Sequence, residues 1–395
     1  AAPTVKFSVS DETPGATHGY GKYYDVADAT VPGGGSAGID PEFYYDGRGG
    51  NPDASLNILS AWNTRDYTNE GGSGTRPSRA NSTNALTTAS IVDEGDGAFT
   101  ITLAAIPGTA TGSGAIGMEG HPLTESVLGS GTFDTSVPVK GEVAYFAITD
   151  SSPVARRVAV DIETKCDNCH NQLSLHGANR AENAQLCVLC HNPRGTDVGR
   201  RDTDDDDIPD ISPLDGKWEE SIDLKRLIHA IHAGQKDDPA TPEVEGHGFR
   251  EKGIVVYGYS SAHDYSHVRF PGILSDCTTC HNAGTYELTG RWEAPEQNEI
   301  LASTVKAAPS GPTVWADLAA YEAERDNQGD DRVISATAAV CSACHDSESA
   351  QWHMEMSGGT AQFDVVLGNL NPYEDCATCH GPGRVADVKV VHGVE

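Results

Sequence analysis

Short runs of alternating apolar and polar residues are the main pattern in the first 150 residues. They occur at residues 4–9, 98–103 and 141–148, and turn-forming residues bound each run. Side chains along a strand point alternately to the two faces of a sheet, so this period predicts β-strands. The sequence therefore predicts an all-β domain over residues 1–155, built as a Greek-key or immunoglobulin-like sandwich or as a split barrel.

The second part of the chain has a different pattern. Residues 223–234 predict one short amphipathic helix that Gly234 ends. Residues 156–164 predict a last strand or a connector, and the rest of residues 156–395 predicts short helices and loops. The chain contains no run of eighteen apolar residues, so we expect no membrane-spanning helix.

All ten cysteines fall in one repeated pentapeptide, C-x-x-C-H, which occurs five times. The cysteines are Cys166, Cys169, Cys187, Cys190, Cys277, Cys280, Cys341, Cys344, Cys376 and Cys379. The histidines that complete the motifs are His170, His191, His281, His345 and His380. This pentapeptide is the signature of covalent c-type haem, because two thiols three residues apart reach the porphyrin vinyl groups and the following imidazole ligates the iron.

Two other interpretations of the cysteine pairs are weaker. Paired C-x-x-C segments also bind zinc, and exported chains with many cysteines usually form disulfides. Neither requires a histidine directly after every pair, which this sequence has. The sequence therefore predicts five covalently bound haems in a pentahaem domain over residues 156–395, with short helices and loops wrapped around stacked haems.

Ten further histidines are available for the second axial position of each iron, but only three methionines are. Methionine ligation at most haems is excluded by number, so we expect low-potential bis-histidine haems. Five candidates lie near haem motifs or on the predicted helix, where residues three apart share a face. They are His176, His229, His232, His353 and His392. His267 is the reserve candidate, and His247 and His263 are weaker ones.

The chain is strongly acidic, with 58 acidic and 27 basic residues and a net charge of −31. A polyanion repels nucleic acid and anionic membrane surfaces, so neither is an expected partner. One acidic run resembles the oxygen-rich loops that bind Ca²⁺, although a solvated acidic loop is the alternative. The predicted calcium ligands are Asp202, Asp204, Asp206, Asp207 and Asp210.

The first residues indicate export. The chain begins Ala1-Ala2-Pro3 rather than with methionine, which is typical of a processed N-terminus after the cleavage site of an exported precursor. All cysteines are used by the haem motifs, so we expect no N-terminal lipid anchor. The expected location is the cell surface, the extracellular space or the periplasm.

The segments around the motifs resemble the outer-surface multihaem cytochromes of metal-reducing bacteria, the OmcA/MtrC family. The similar segments are residues 166–180, 186–193, 222–234, 270–277 and 376–383. Family members pair a Greek-key β-domain with a pentahaem domain, twice over, so this chain resembles half of a decahaem protein. The resemblance implies electron transfer to metal oxides, flavins or partner cytochromes, and it supports the five proposed distal histidines.

The leading functional hypothesis is therefore a non-enzymatic electron carrier in extracellular respiration. The alternative is a pentahaem oxidoreductase with one open iron, similar to cytochrome c nitrite reductase. The catalytic haem of that enzyme resembles a C-x-x-C-K motif, and no C-x-x-C-K occurs in this chain.

A single pentahaem unit spans a short distance, so long-range transfer would need contact with other cytochromes or with copies of itself. Repetition of one head-to-tail interface gives an open filament. A spare histidine such as His18 could ligate a haem of the neighbouring copy. This conductive-filament hypothesis predicts assembly despite the repulsion between chains of charge −31. A protein that stays monomeric in size-exclusion chromatography at high concentration would contradict it.

Overall fold

The computed structural model describes most of the chain and divides it into two compact units. The described residues are 2–11, 22–23, 54–63, 66–72, 79–86, 91–95, 98–127, 129–130, 132–202, 204, 206–235, 253–259, 261–288, 300–306, 317–356, 361–371 and 373–394. The first unit consists of Ala1–Asn63, Ala80–Ala155 and Asp161–Leu189, and the second of Thr64–Arg79, Arg156–Val160 and Cys190–Glu395. The first haem motif thus groups with the β-strands, and a domain boundary at residue 155 stays a prediction.

The first unit is built from small antiparallel sheets and very short helices. Its strands are β1 Thr4–Ser8, β2 Ser10–Asp11, β3 Lys22–Tyr23, β4 Ser55–Ala61, β5 Asn81–Asn84, β6 Ile91–Gly95, β7 Ala98–Thr102, β8 Ser113–His121, β9 Leu123–Glu125, β10 Phe133–Ser136, β11 Glu142–Ala147, β12 Ser174–Leu175 and β13 Arg180–Ala181. Its helices are a π-helical turn Ile162–Cys166, α1 Asp167–His170 and α2 Ala184–Cys187. The larger sheets have the orders β11-β8-β4-β5 and β1-β7-β6. A Greek-key or immunoglobulin-like topology stays a prediction.

The second unit has longer helices but only two- and three-stranded sheets within its described residues. Its helices are α3 Leu224–His232, α4 Leu318–Asp326, α5 Ala336–Cys341, α6 Glu348–Met356, α7 Ala377–His380 and α8 Val388–Val391, with 3₁₀ turns at Val198–Arg200, Cys277–Thr279 and Leu367–Asn369. Its strands are β14 Val255–Tyr257, β15 Ala262–Asp264, β16 Ser303–Lys306, β17 Arg332–Ile334 and β18 Val365–Val366. No helix in the described part of the chain is long and apolar enough to cross a membrane.

Strand β8 lies inside the four-stranded sheet although it is rich in glycine. A Cβ added at Gly117 would lie 2.6 Å from Cδ1 of Leu189, so the bare backbone gives that leucine room to pack on the sheet. Gly120 has a φ of 150°, and a Cβ there would lie 2.0 Å from the Ser55 carbonyl oxygen. Only glycine fits these positions. Glycine has a low strand propensity, but its lack of a side chain allows this close packing.

The described residues of the first unit form two apolar clusters. The larger is formed by Ala54, Leu56, Ile58, Ala85, Leu86, Phe99, Ile101, Leu103 and Leu123. The smaller surrounds the fully buried Trp62, against which Ile106, Ala110, Phe146 and Ile148 pack. Burial of this much apolar surface stabilises the β-sheets independently of any cofactor.

A buried ion-pair cluster anchors the connector 156–160 in the second unit. Asp66 accepts hydrogen bonds from Arg156 Nε at 3.0 Å and from Arg157 Nη2 at 3.1 Å, and its side chain is 2% exposed. Burial opposes ionisation of Asp66, but the charges of Arg157 and Arg156 outweigh it, so the pKa of this carboxyl lies below its usual value. The connector is therefore fixed by charge rather than by strand pairing.

The predicted elements agree with the observed ones where the pattern is strong. The runs at residues 4–9, 98–103 and 141–148 correspond to β1, β7 and β11, and the amphipathic segment corresponds to α3. Residues 156–159 are a connector, and within the described residues Val160 makes one isolated bridge to His281.

Candidate haem sites

The C-x-x-C-H motifs lie on single helical turns. In the last three motifs the histidine amide donates to the carbonyl of the first cysteine at 2.8–2.9 Å, and the second cysteine amide donates to the same carbonyl at 3.2 Å. This turn brings both thiols and the imidazole to one side of the backbone. All ten cysteines lie within the described residues and keep their thiols rather than forming disulfides. The thiol arrangement fits covalent attachment of a porphyrin.

Three motif histidines face a predicted distal histidine. The ring centroids of His281 and His229 are 5.9 Å apart with nearly parallel planes at 9°. Those of His345 and His392 are 6.2 Å apart at 26°. Those of His380 and His353 are 6.0 Å apart at 88°.

These spacings fit two imidazoles on one iron. A ring nitrogen lies about 2 Å from its metal and the ring centroid about 1 Å further, so two axial imidazoles place their centroids about 6 Å apart. The three pairs therefore have the separation that a bis-histidine haem requires.

In four of the predicted haem ligands, a hydrogen bond determines which ring nitrogen can bind a metal. Nδ1 contacts a backbone carbonyl in four of the histidines: His191 to Ile222 at 2.9 Å, His229 to Lys225, His232 to Ile228 at 2.9 Å and His380 to Ala386 at 2.9 Å. A carbonyl oxygen only accepts, so Nδ1 carries the proton and the Nε2 lone pair remains available. Such outer hydrogen bonds orient metal-bound histidines.

Burial favours the neutral form of three of the facing imidazoles, His229, His281 and His345. Burial, reinforced by the neighbouring His229, lowers the pKa of His281 to about 4. Burial likewise lowers the pKa of His229, and burial together with His392 lowers the pKa of His345. Neutral imidazole is the form that ligates iron, so the environment favours ligation near neutral pH.

An exposed apolar side chain precedes four of the predicted distal histidines. The exposed fractions are 51% for Leu175, 40% for Ile228, 63% for Trp352 and 56% for Val391. Large apolar groups at such exposure are unfavourable in water, and they concentrate beside the imidazoles. A flat apolar ring ligated by the adjacent histidine would cover them.

The other predicted ligands have the following positions. His170 ends α1 and is exposed, and His176 is exposed in the turn between β12 and β13. His232 lies on α3 one turn after His229, and the edge of its ring packs against Phe270 with centroids 5.8 Å apart.

The weaker histidine candidates lie in a turn, on a strand or outside the described residues. His267 is exposed in a turn, and His263 on β15 stacks on Tyr265 with centroids 6.4 Å apart. His18 and His247 lie outside the described residues.

The acidic loop brings together three of its five predicted calcium ligands. Carboxylate oxygens of Asp202, Asp204 and Asp210 all lie within 4.8 Å of one another. Asp206 and Asp207 instead donate their amides to the Asp202 carboxylate, at 3.3 and 3.0 Å. The charge of Asp206 raises the pKa of Asp204, so the loop carries electrostatic repulsion that a cation would relieve.

Glu374 supports the fourth motif through a contact that the sequence did not predict. It is 5% exposed and accepts hydrogen bonds from the Ser335 hydroxyl at 2.6 Å and from the amides of Thr337 and Ala338, the latter at 3.0 Å. It therefore caps α5, the helix of the fourth motif, from a position two residues before the fifth motif. No local sequence signal marks a cap that comes from so far along the chain.

A second missed signal is present in the sequence itself. Each of the five predicted distal histidines follows Leu, Ile, Trp or Val, whereas His18, His121, His247, His263 and His267 follow Thr, Gly, Gly, Ala and Ser. The apolar neighbour thus separates the two groups of histidines without any structure.

Comparison with known proteins gives one family match. The model of the family described as outer membrane cytochrome MtrC/MtrF-like, domains II/IV, matches residues 157–393. The crystal structure of MtrC from Shewanella baltica OS185 is similar with a TM-score of 0.45 and 18% sequence identity, over 83% of this chain and 45% of that chain. This chain thus covers less than half of that protein's chain. The comparison with curated proteins gave no match.

The substitution Glu374→Ala should destabilise the protein by about 2–3 kcal/mol, because three buried donors at the start of α5 lose their acceptor. Thermal unfolding of the haem-loaded protein, followed by circular dichroism, measures the effect. Glu348→Ala is the matched control, since Glu348 is exposed in the first turn of α6. Equal unfolding temperatures for both variants would contradict the capping role.

Proposed function

The chain belongs to the family of MtrC/MtrF-like outer membrane cytochromes, and we propose that it carries electrons through five covalently bound, bis-histidine haems. The facing ring pairs, at 5.9, 6.2 and 6.0 Å, carry this proposal. Bound haem supplies one-electron redox chemistry. The chain supplies the thiols that attach it, the imidazoles that ligate it and the apolar side chains that cover its faces.

The ring pairs lead to a specific ligand assignment. His229 is the distal ligand for the third motif, His392 for the fourth and His353 for the fifth. His176 and His232 supply the two remaining distal positions, for the first two motifs. Nδ1 of His232 donates to the Ile228 carbonyl, which leaves Nε2 for the metal as in His229 and His380.

Electron transfer fits these ligands better than catalysis at an open iron. A histidine on each face of each haem leaves no position for a substrate such as nitrite. Hydrogen bonds from Nδ1 fix the orientation of four of the rings, so little rearrangement accompanies a change of charge at an iron that they ligate. A reductase similar to nitrite reductase would need one imidazole to be absent.

The family name gives the outer membrane as the location, and we propose that this chain acts at the cell surface or outside the cell. We propose that the electrons pass to another cytochrome or to extracellular acceptors such as metal oxides and flavins. The net charge of −31 argues against nucleic acid as a partner. A homopolymer of this unit is a further form of the same proposal, and size-exclusion chromatography distinguishes it from a monomer.

Calcium is the second proposed cofactor. Asp202, Asp204 and Asp210 offer oxygen ligands, and the neighbouring Arg201 does not neutralise them because it is fully buried and bound to Asp197 and Asp215. A hard cation with oxygen ligands suits this cluster. Its role would be to fix the loop that precedes α3.

Substitution of a distal ligand by alanine should convert one haem of five from low spin to high spin. The expected loss for His229→Ala, His353→Ala or His392→Ala is about one fifth of the low-spin intensity, because each imidazole serves one iron. Electron paramagnetic resonance of the oxidised protein measures it. Because the His380–His353 planes are perpendicular, His353→Ala should remove the most anisotropic low-spin signal.

The control for the ligand test is His263→Ala, since His263 is exposed and follows alanine rather than a large apolar residue. Its spectrum should equal that of the unmodified protein. If none of the distal substitutions produced high-spin haem, the ligand assignment would be wrong. A high-spin signal in the unmodified protein would favour the enzyme alternative.

Calcium should raise the unfolding temperature of the unmodified protein but not that of Asp204→Asn. At a hundredfold excess over the dissociation constant, the stabilisation by one bound ion is about 2.7 kcal/mol. Thermal unfolding with Ca²⁺ and with a chelator measures the difference. Asp134→Asn, at a half-buried, hydrogen-bonded aspartate of β10, is the control and should respond like the unmodified protein. An unmodified protein without any response has no calcium site.

A further inference from the structure

The loop that carries His176 is too short to hold its own conformation. Strands β12 and β13 pair through only two residues each, with Ser174 opposite Ala181 and Leu175 opposite Arg180. Between them, His176, Gly177 and Ala178 have φ angles of 56°, 69° and 68°. Consecutive left-handed conformations are unfavourable for residues other than glycine, so other contacts must maintain this turn.

Asn179 connects the turn to the β-sheet of the same unit. Its carbonyl oxygen accepts a hydrogen bond from the Gly120 amide at 3.0 Å. Its side-chain Nδ2 donates to the His176 carbonyl at 2.9 Å, and its Oδ1 contacts Nδ1 of His121 at 2.9 Å. Because the amide nitrogen is used on His176, the oxygen must accept, and His121 must donate from Nδ1.

The residues on β8 that make these contacts are firmly held. His121 is 6% exposed and Glu119 is 3% exposed. The Glu119 carboxylate forms a two-pronged pair with Arg180, in which Nη2 donates to Oε1 at 2.7 Å. Paired donors of this kind fix orientation as well as distance. The last residues of β8 thus form hydrogen bonds with both residues that follow the turn, Asn179 and Arg180.

We propose that the end of β8 positions a haem ligand: His121, acting through Asn179, holds the backbone of His176 in the conformation needed for ligation. This inference rests on the proposed role of His176 as a distal ligand. It gives the β-sheet a part in electron transfer, since the sheet determines how firmly one iron keeps its sixth ligand. His121 and Asn179 touch no iron and are positioning residues.

The test compares substitutions that break this connection with one that preserves it. Asn179→Ala and His121→Leu remove the side-chain bonds, whereas His121→Asn retains a nitrogen donor close to the Nδ1 position. The probe is cyanide, which displaces a loosely held axial histidine of ferric haem. Both disrupting variants should bind cyanide at one haem of five about tenfold faster than the unmodified protein, and His121→Asn should restore the slow rate.

The control variants separate the two hypotheses. His176→Ala should give one high-spin haem, and if it does not, the proposed ligand role of His176 fails. If His176→Ala behaves as expected while Asn179→Ala and His121→Leu keep the unmodified cyanide rate, the positioning role fails and the ligand stands. Asn84→Ala, on the edge strand β5 of the same sheet, should leave the rate unchanged; a change there would mean that any damage to the sheet has this effect, which also overturns the proposal.

Discussion

The constraint on which the proposed function depends is the distance across a six-coordinate iron. Two imidazoles must face each other with centroids about 6 Å apart, and a shift of about 1 Å breaks one metal–nitrogen bond. Three pairs of described histidines satisfy it, at 5.9, 6.2 and 6.0 Å. Each pair joins a motif histidine to one on, or directly after, another helix, so α3, α6 and α8 must be placed as accurately as the motifs themselves.

The apolar surface of the second unit is consistent with that constraint. Its described clusters are small, and several large apolar residues remain exposed beside the histidines, such as Trp352 at 63% and Val391 at 56%. In the first unit the β-sheets bury a larger cluster around Phe99 and Ile101. The first unit can therefore be stabilised by its own side chains, whereas the exposed apolar side chains of the second would be covered by the porphyrin faces of the proposed haems.

The sequence predicted the chemistry of the site better than its supporting structure. The five motifs, the short helix α3 and strands β1, β7 and β11 follow from spacing and periodicity, which are local properties. Strand β8 was missed because its three glycines lower strand propensity. Two of them are required by the close approach of Leu189 and of Ser55. Glu374 was missed because its partners lie 36 to 39 residues away. Long-range packing of this kind leaves no periodic trace in a sequence.

A helix of one turn cannot hold a haem ligand in place by itself, because nucleation of so short a helix is unfavourable. The described contacts provide the missing support by linking each motif to a segment that leads to or from another motif. The third motif is bound through Asn282 and Thr285 to the carbonyls of the connector before the first.

The second motif follows the same rule, since the His191 carbonyl accepts from Leu224 on α3, and Arg226 of that helix donates to Ser342 within the fourth. Glu374, just before the fifth motif, caps the helix of the fourth. A substitution that breaks one such link, such as that from Glu374 to α5, should therefore disturb the haem proposed for the linked motif. The haem proposed for the motif nearest in sequence to the substituted residue should be less affected.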